Sequence, residues 1–180
     1  MKKGENLSKN SEYPVFANAP ITEALLDIRV ELPKDIDLNK ISTFHNSIKD
    51  RFSEKKERIH FEASFKIAQG EPPTTTPAFS EPDGYLFRSP NENKIVQARL
   101  DGFTFNKLKP YEEWKLFYAE ARELWDLYFK ITNPIRITRI ALRYINKIEI
   151  PLPIENFKEY IKTIPEIAPD LPQGLERFFM

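Results

Sequence analysis

Residues 23–32 read EALLDIRVEL, and their alternation governs how the rest of the chain is read. Leu26, Ile28, Val30 and Leu32 fall on one face of an extended segment, with Asp27, Arg29 and Glu31 on the other, the pattern of a strand buried on one side. Pro33 ends it, because proline cannot donate to a ladder. A one-sided strand needs neighbours and a cover, and the following sequence offers both. With Asp35 or Asp37 as cap, Leu38, Ile41, His45, Ile48 and Phe52 recur at steps of three and four, which predicts a long amphipathic helix from about Leu38 to Lys56. IHFEASFKIA at 59–68 alternates again and predicts a strand. Gln69 to Pro82, QGEPPTTTPAFSEP, carries four prolines and reads as a long connection.

Gly84 to Arg88 and Lys94 to Leu100 read as strands joined by SPNEN. Asp101-Gly102 signals a tight hairpin loop ahead of Phe103-Thr104-Phe105, with a bulge in a longer strand as the competing reading. Beyond Pro110, a residue suited to a first helical turn, Trp114, Phe117, Tyr118, Ala121, Leu124, Trp125 and Tyr128 share one stripe of a second long helix. It should stop near Ile131, before Asn133-Pro134. Residues 135–150 form a long strand with Ile140, Leu142, Tyr144, Ile148 and Ile150 on one parity and Arg139, Ala141, Arg143, Ile145 and Lys147 on the other. A short third helix is expected from Ile154 to Ile164. The expected fold class is α+β: an antiparallel sheet of about six strands, two long amphipathic helices on one face, and the short third helix. Residues 1–12 read as a flexible polar leader and 13–180 as a single domain.

The chain of 180 residues holds 41% hydrophobic residues and 14 Phe, enough for one ring-rich core that removes about 70% of the unfolded surface from water. Lys plus Arg and Asp plus Glu balance at 27 each, so no global field draws the protein to nucleic acid or anionic lipid. The absence of cysteine removes disulfides, thiolate nucleophiles and Cys-ligated metal. No signal peptide or membrane span is legible, and the expected location is the cytoplasm.

Three segments carry a resemblance: YPVFANAPITEALLDIRVELP at 13–33, QARLDGFTFNKLKPYEEW at 97–114 and RITRIALRYINKIEIP at 136–151. Together they resemble the uncharacterised "sporadically distributed protein" family of bacteria and archaea. That family has no established activity, so the resemblance implies no catalytic residues. Its scattered distribution implies transferable genes, as in mobile defence or toxin–antitoxin loci. Its members are usually longer, which implies either that this chain is a short form whose apolar tail, Glu176 to Met180, docks, or that part of the family's C-terminal region is missing.

Chemistry-bearing motifs are scarce. The five glycines are too dispersed for a dinucleotide fingerprint or a P-loop, and no serine sits in a GxSxG elbow. His45 and His60 lack ligand-spaced partners, and His45 at helical core spacing reads as a packing residue; no cofactor and no metal are expected. Glu112, Glu113, Glu120 and Glu123 interleave with Lys115 and Arg122 as a solvated face of weak ion pairs. The one constellation that points to binding is cationic. Arg139 and Arg143 share a strand face, and Arg99 lies opposite Val96, Ala98 and Leu100, so neighbouring strands would gather guanidinium groups suited to phosphate or carboxylate on the face without helices. The bland alternative is a set of cross-strand ion pairs with Asp27, Glu31, Asp101 and Glu149. The leading functional expectation is a non-catalytic binding or protein-interaction component, with a protein partner or an anionic ligand. The rival is an enzyme acting on a phosphorylated or nucleotide substrate, with Arg99, Arg139 and Arg143 binding the anion and Asp27 or Glu31 as acid or base.

Overall fold

The computed structural model describes residues 16, 18–62, 65–66, 74–75, 79–91, 93–151 and 159. The chain divides into two compact units, Met1–Lys147 and Ile148–Met180. Only residues 148–151 and 159 of the second are described, so the expected third helix and the leader lie outside the described residues. The first unit runs β1 (Ile21–Glu31), α1 (Leu38–Ser42), α2 (Phe44–Ile48), β2 (Glu54–Glu62), β3 (Phe65–Lys66), β4 (Thr74–Thr75), β5 (Phe79–Ser89), β6 (Lys94–Arg99), β7 (Gly102–Leu108), α3 (Trp114–Thr132) and β8 (Arg136–Asn146). Six strands form one antiparallel sheet in the order β2-β5-β6-β7-β1-β8, and β3 pairs with β4. The class is α+β, as the patterning predicts.

The expectation of two long helices is corrected: of the two, α3 alone is long. The first helical region is two five-residue pieces, each too short to hold itself by propensity. Asp37 caps α1 by accepting from the Lys40 amide at 2.8 Å. Past Phe52 the chain turns and Glu54 pairs with Arg88, so residues 54–56 belong to an edge strand rather than to the helix, and the strand read from Ile59 begins at Glu54. Sheet pairing overrides the helical propensity of SEKKER there. Of the positions the periodicity selects, Ile41, Ile48 and Phe52 are buried, and Phe44, which it does not select, is buried with them. His45 is the packing residue expected: its ring stacks on Phe87 with centroids 5.2 Å apart, and its Nε2 donates to the Phe52 carbonyl at 2.9 Å.

Two further boundaries move. Strand β5 starts at Phe79 rather than Gly84 and takes in Pro82, which the reading of 69–82 as a loop had excluded. Pro82 pairs only with β2, at a register shift between Arg58 and Ile59, where a missing donor is tolerated. Helix α3 begins at Trp114 behind Glu113, leaving Pro110 outside its first turn. Its C-cap Asn133 takes the left-handed conformation at φ 43°, with Pro134 next. On α3, Phe117, Ala121, Leu124, Trp125 and Tyr128 face the core, but Tyr118 is exposed and Trp114 half-buried, which narrows the expected stripe.

The cores of α1, α2 and α3 all meet the same sheet face. Phe44 contacts Phe87 and Tyr128, and Phe103 contacts Trp125 and Tyr128, at centroid distances of 5.6, 6.5, 5.9 and 5.7 Å. Six strands at about 4.8 Å spacing span about 24 Å, and two helices of about 10 Å each cover about 20 Å of that. Among the described residues no helix covers the edge strands. In β2 the core-facing positions are charged, Lys55 and Glu57. In β8 they are apolar.

Candidate functional site

The face of the sheet away from the helices holds the charged cluster. Register places Asp27 of β1 opposite Thr104 of β7 and Ala141 of β8, with Arg29 opposite Gly102 and Arg139 one step along. Arg99 of β6 sits between Gly84 of β5 and Gly102 of β7. These two glycines leave room for the guanidinium to lie across the sheet. A Cβ on Gly102 would stand 2.3 Å from the Ile28 carbonyl oxygen and 3.1 Å from Arg99 Nη2, and one on Gly84 2.3 Å from the Ala98 carbonyl oxygen. Gly102→Ala is therefore expected to cost about 1–3 kcal/mol through backbone displacement, read as a lower urea midpoint at unchanged slope. Wild-type stability in that variant would mean that β7 can move away from β1 at no cost.

Asp27 is the hub. Its Oδ1 accepts from Arg99 Nη2 at 2.9 Å and from the Thr104 hydroxyl at 2.7 Å; its Oδ2 accepts from Arg139 Nη2 at 2.5 Å and Arg29 Nε at 3.3 Å. Thr104 Oγ1 in turn accepts from Arg99 Nη1 at 2.6 Å, and Arg99 Nε donates to Asp101 Oδ1 at 2.8 Å. Arg29 Nη1 also pairs with Asp101. Asp27 is 7% exposed and Arg99 2%. Burial pushes the Asp27 carboxyl up, but the hydrogen bonds from Thr104, Arg99 and Arg139 outweigh it and hold the group well below the usual carboxylate range. Burial likewise pushes the Arg99 guanidinium down, helped by the Arg29 and Arg58 charges and opposed by Asp27.

The three arginines read from the sequence thus share one face but differ in situation. Arg99 and Arg139 converge on Asp27, while Arg143 lies opposite Leu25, exposed, with no hydrogen bond or ion pair among the described residues. The ion-pair alternative describes Arg99 with Asp27 and Asp101, and Glu31 takes Arg136 at 2.6 Å. Sequence reading missed Thr104 and the glycine pair. A Gly beside a turn Asp, followed two residues later by a Thr of the same parity, was the available signal.

Helix α3 carboxylates also have partners: Glu120 binds Arg51 and Lys94, each at 2.9 Å, and Glu123 binds Arg51 at 2.8 Å. A cavity of about 230 Å³ beneath the start of α3 is lined by Lys94, Lys107, Glu112, Glu120 and apolar neighbours. It is smaller than the roughly 300 Å³ at which small-molecule sites begin, and Lys107 and Glu112 pair across it at 3.2 Å. Among the described residues no three His, Asp or Glu side chains are grouped to hold a metal ion, and no helix is long and apolar enough to cross a membrane.

Strand β8 departs from expectation in one respect. Ile140 and Leu142 do share the face of Ile28 and Leu26, their partners in register, yet they are 63% and 45% exposed. The parity is as read, but the helix layer does not reach the strand. Comparison with protein-family models, curated proteins and solved structures finds no match to this chain.

Proposed function

We propose that this protein is a non-catalytic interaction component that docks an acidic protein partner on the β8 side of the open sheet face. Arg139 and Arg143 are the contact residues and Arg99 is the buried anchor that holds the face in shape. The observation that carries this reading is Arg143, an exposed guanidinium without a partner among the described residues, on the same face as Arg139 and four residues along one strand. That spacing is about 13 Å, too long for one phosphate group and suited to successive carboxylates. The enzymatic rival is weakened at both of its candidates for acid or base: Asp27 has both oxygens engaged and its carboxyl held well below the usual range, and Glu31 is exposed and paired with Arg136 at 2.6 Å, whereas a general base needs a free lone pair and a matched pKa. The resemblance to the "sporadically distributed protein" family fits the same reading, since a transferable defence or toxin–antitoxin type locus is built from interacting components.

Poly-L-glutamate tests this reading. Arg143→Gln should leave the melting temperature within about 2 °C of wild type, as for other surface changes, while weakening polyglutamate binding about tenfold at low salt. Binding that is indifferent to Arg143 and to ionic strength would refute the docking face. Arg139→Gln is the less clean probe, because it also removes a donor from Asp27.

A further inference from the structure

We infer that the acidic partner binds by strand addition, an extended segment with two acidic residues four apart pairing antiparallel or parallel along the outer edge of β8. This rests on the reading of that face as a docking surface and adds the form the partner takes. Strand β8 is the last in the sheet, and among the described residues no strand pairs with its outer side. An edge strand presents unpaired N–H and C=O groups, and natural edges are normally guarded by charged side chains, prolines or brevity. The opposite edge is guarded in this way: β2 reads EKKERIHFE, with both signs interleaved. By contrast β8 is 11 residues long, RITRIALRYIN, without a proline and with charge of one sign only, so its three arginines guard it against like-charged strands but not against an acidic one. Register shifts mark off both ends of its ladder with β1, leaving Arg139 to Ile145 as a regular stretch paired with Arg29 to Glu23.

That stretch is two-faced. Ile140 and Leu142 stand exposed beside the core, with Ile137 at 45% joining them across the shift; Arg139, Ala141 and Arg143 face the other way, with Ile145 at 41%. A directly opposed residue on an added strand lies about 5 Å away. Carboxylates opposite Arg139 and Arg143 would be matched in charge, and apolar residues opposite Ile140 and Leu142 would extend the core face. A second copy of β8 is a poor occupant, because pairing it with itself about Ala141 sets Arg139 against Arg143 and Arg143 against Arg139 with no acid to offset them. Charge complementarity selects an acidic strand, recognised by main-chain bonds for affinity and by alternate side chains for specificity.

The probe is a fluorescein-labelled seven-residue peptide with Glu at its second and sixth positions, Thr at the fourth, and Val and Ile at the third and fifth. Anisotropy should show saturable binding to the full chain, lost at least about tenfold with Arg143→Glu and restored when the one Glu that faces position 143, the second or the sixth according to strand direction, is replaced by Lys. Two peptides N-methylated on alternate residues, one for each edge, should separate: one loses binding at least about tenfold and the other retains it, because only one edge pairs. Amide exchange at Arg139 to Ile145 should slow on binding. Equal affinity of the two methylated peptides, or exchange that does not slow, overturns strand addition while leaving a charge-dependent docking face intact. Binding that ignores Arg143→Glu removes the docking face as well. Amides of the outer edge already protected in the free protein, or a sedimenting dimer that protects them, overturn the proposal by showing the edge occupied.

Discussion

Asp27→Ala is expected to cost about 3–5 kcal/mol of folding stability, because it strips a buried guanidinium of its counter-charge rather than removing a pair cleanly. Arg99 stays inside, 3% exposed over its side chain, with Asp101 as its remaining carboxylate. Thr104 loses its acceptor, and Arg139 and Arg29 lose their common anchor. Asp27→Asn keeps the shape but turns an amide N–H towards donors, so most of the loss should remain. The same residue sets a pH signature. Its native carboxyl titrates below its ordinary 3.8, so the unfolded chain takes up the proton first. The contribution is fully present above the unfolded value and is lost as pH falls from about 5 downward through the native value. Urea melts between pH 7 and pH 3 should fall more steeply for wild type than for Asp27→Asn. Parallel curves would show that Asp27 does not couple folding to acid, and a loss under about 1 kcal/mol for Asp27→Ala would remove it as the hub.

Tyr128→Ala should be comparably severe, about 3–5 kcal/mol. The ring is fully buried, meets Phe44, Phe103 and Trp125, and its hydroxyl donates to the Arg99 carbonyl at 2.8 Å. Burial pushes the hydroxyl's pKa up, so it remains a donor at neutral and mildly alkaline pH. Tyr128→Phe isolates that bond: leaving the carbonyl short of a partner should cost about 1–3 kcal/mol. Tyr128 ties the long helix to the end of β6, just where Arg99 crosses the sheet, so both variants should also loosen the arginine cluster. Trp125→Ala belongs with Tyr128→Ala, whereas Trp114→Ala should cost markedly less because the ring is only half-buried. Equal losses at Trp114 and Trp125 in parallel urea melts would mean the helix face is drawn wrongly.

Local pattern alone determined a good deal here. Alternation at 23–32 and 135–150 gave two strands with correct parity, the second ending earlier than read, at Asn146, because the period of two is a property of extended backbone whatever lies beside it. The three-and-four spacing found Phe44's neighbours Ile41, Ile48 and Phe52, and the end of α3 at Asn133 followed from the proline behind it. It put Arg99, Arg139 and Arg143 on the face opposite the core. Tertiary structure decided the rest. Whether residues 54–56 continued the helix or crossed to β5 depended on Leu86 to Arg88, at least thirty residues away. Strand order depended on pairings that no local window contains, and the order is what brings Arg99, from β6, within 2.9 Å of Asp27, from β1. That contact turns one sequence-predicted contact residue into a buried anchor and leaves Arg143 open. The width of the helix layer, set by how few turns α1 and α2 hold, left Ile140 and Leu142 in solvent on a face their sequence marks as core. Parity is written residue by residue, but coverage depends on how far another element reaches.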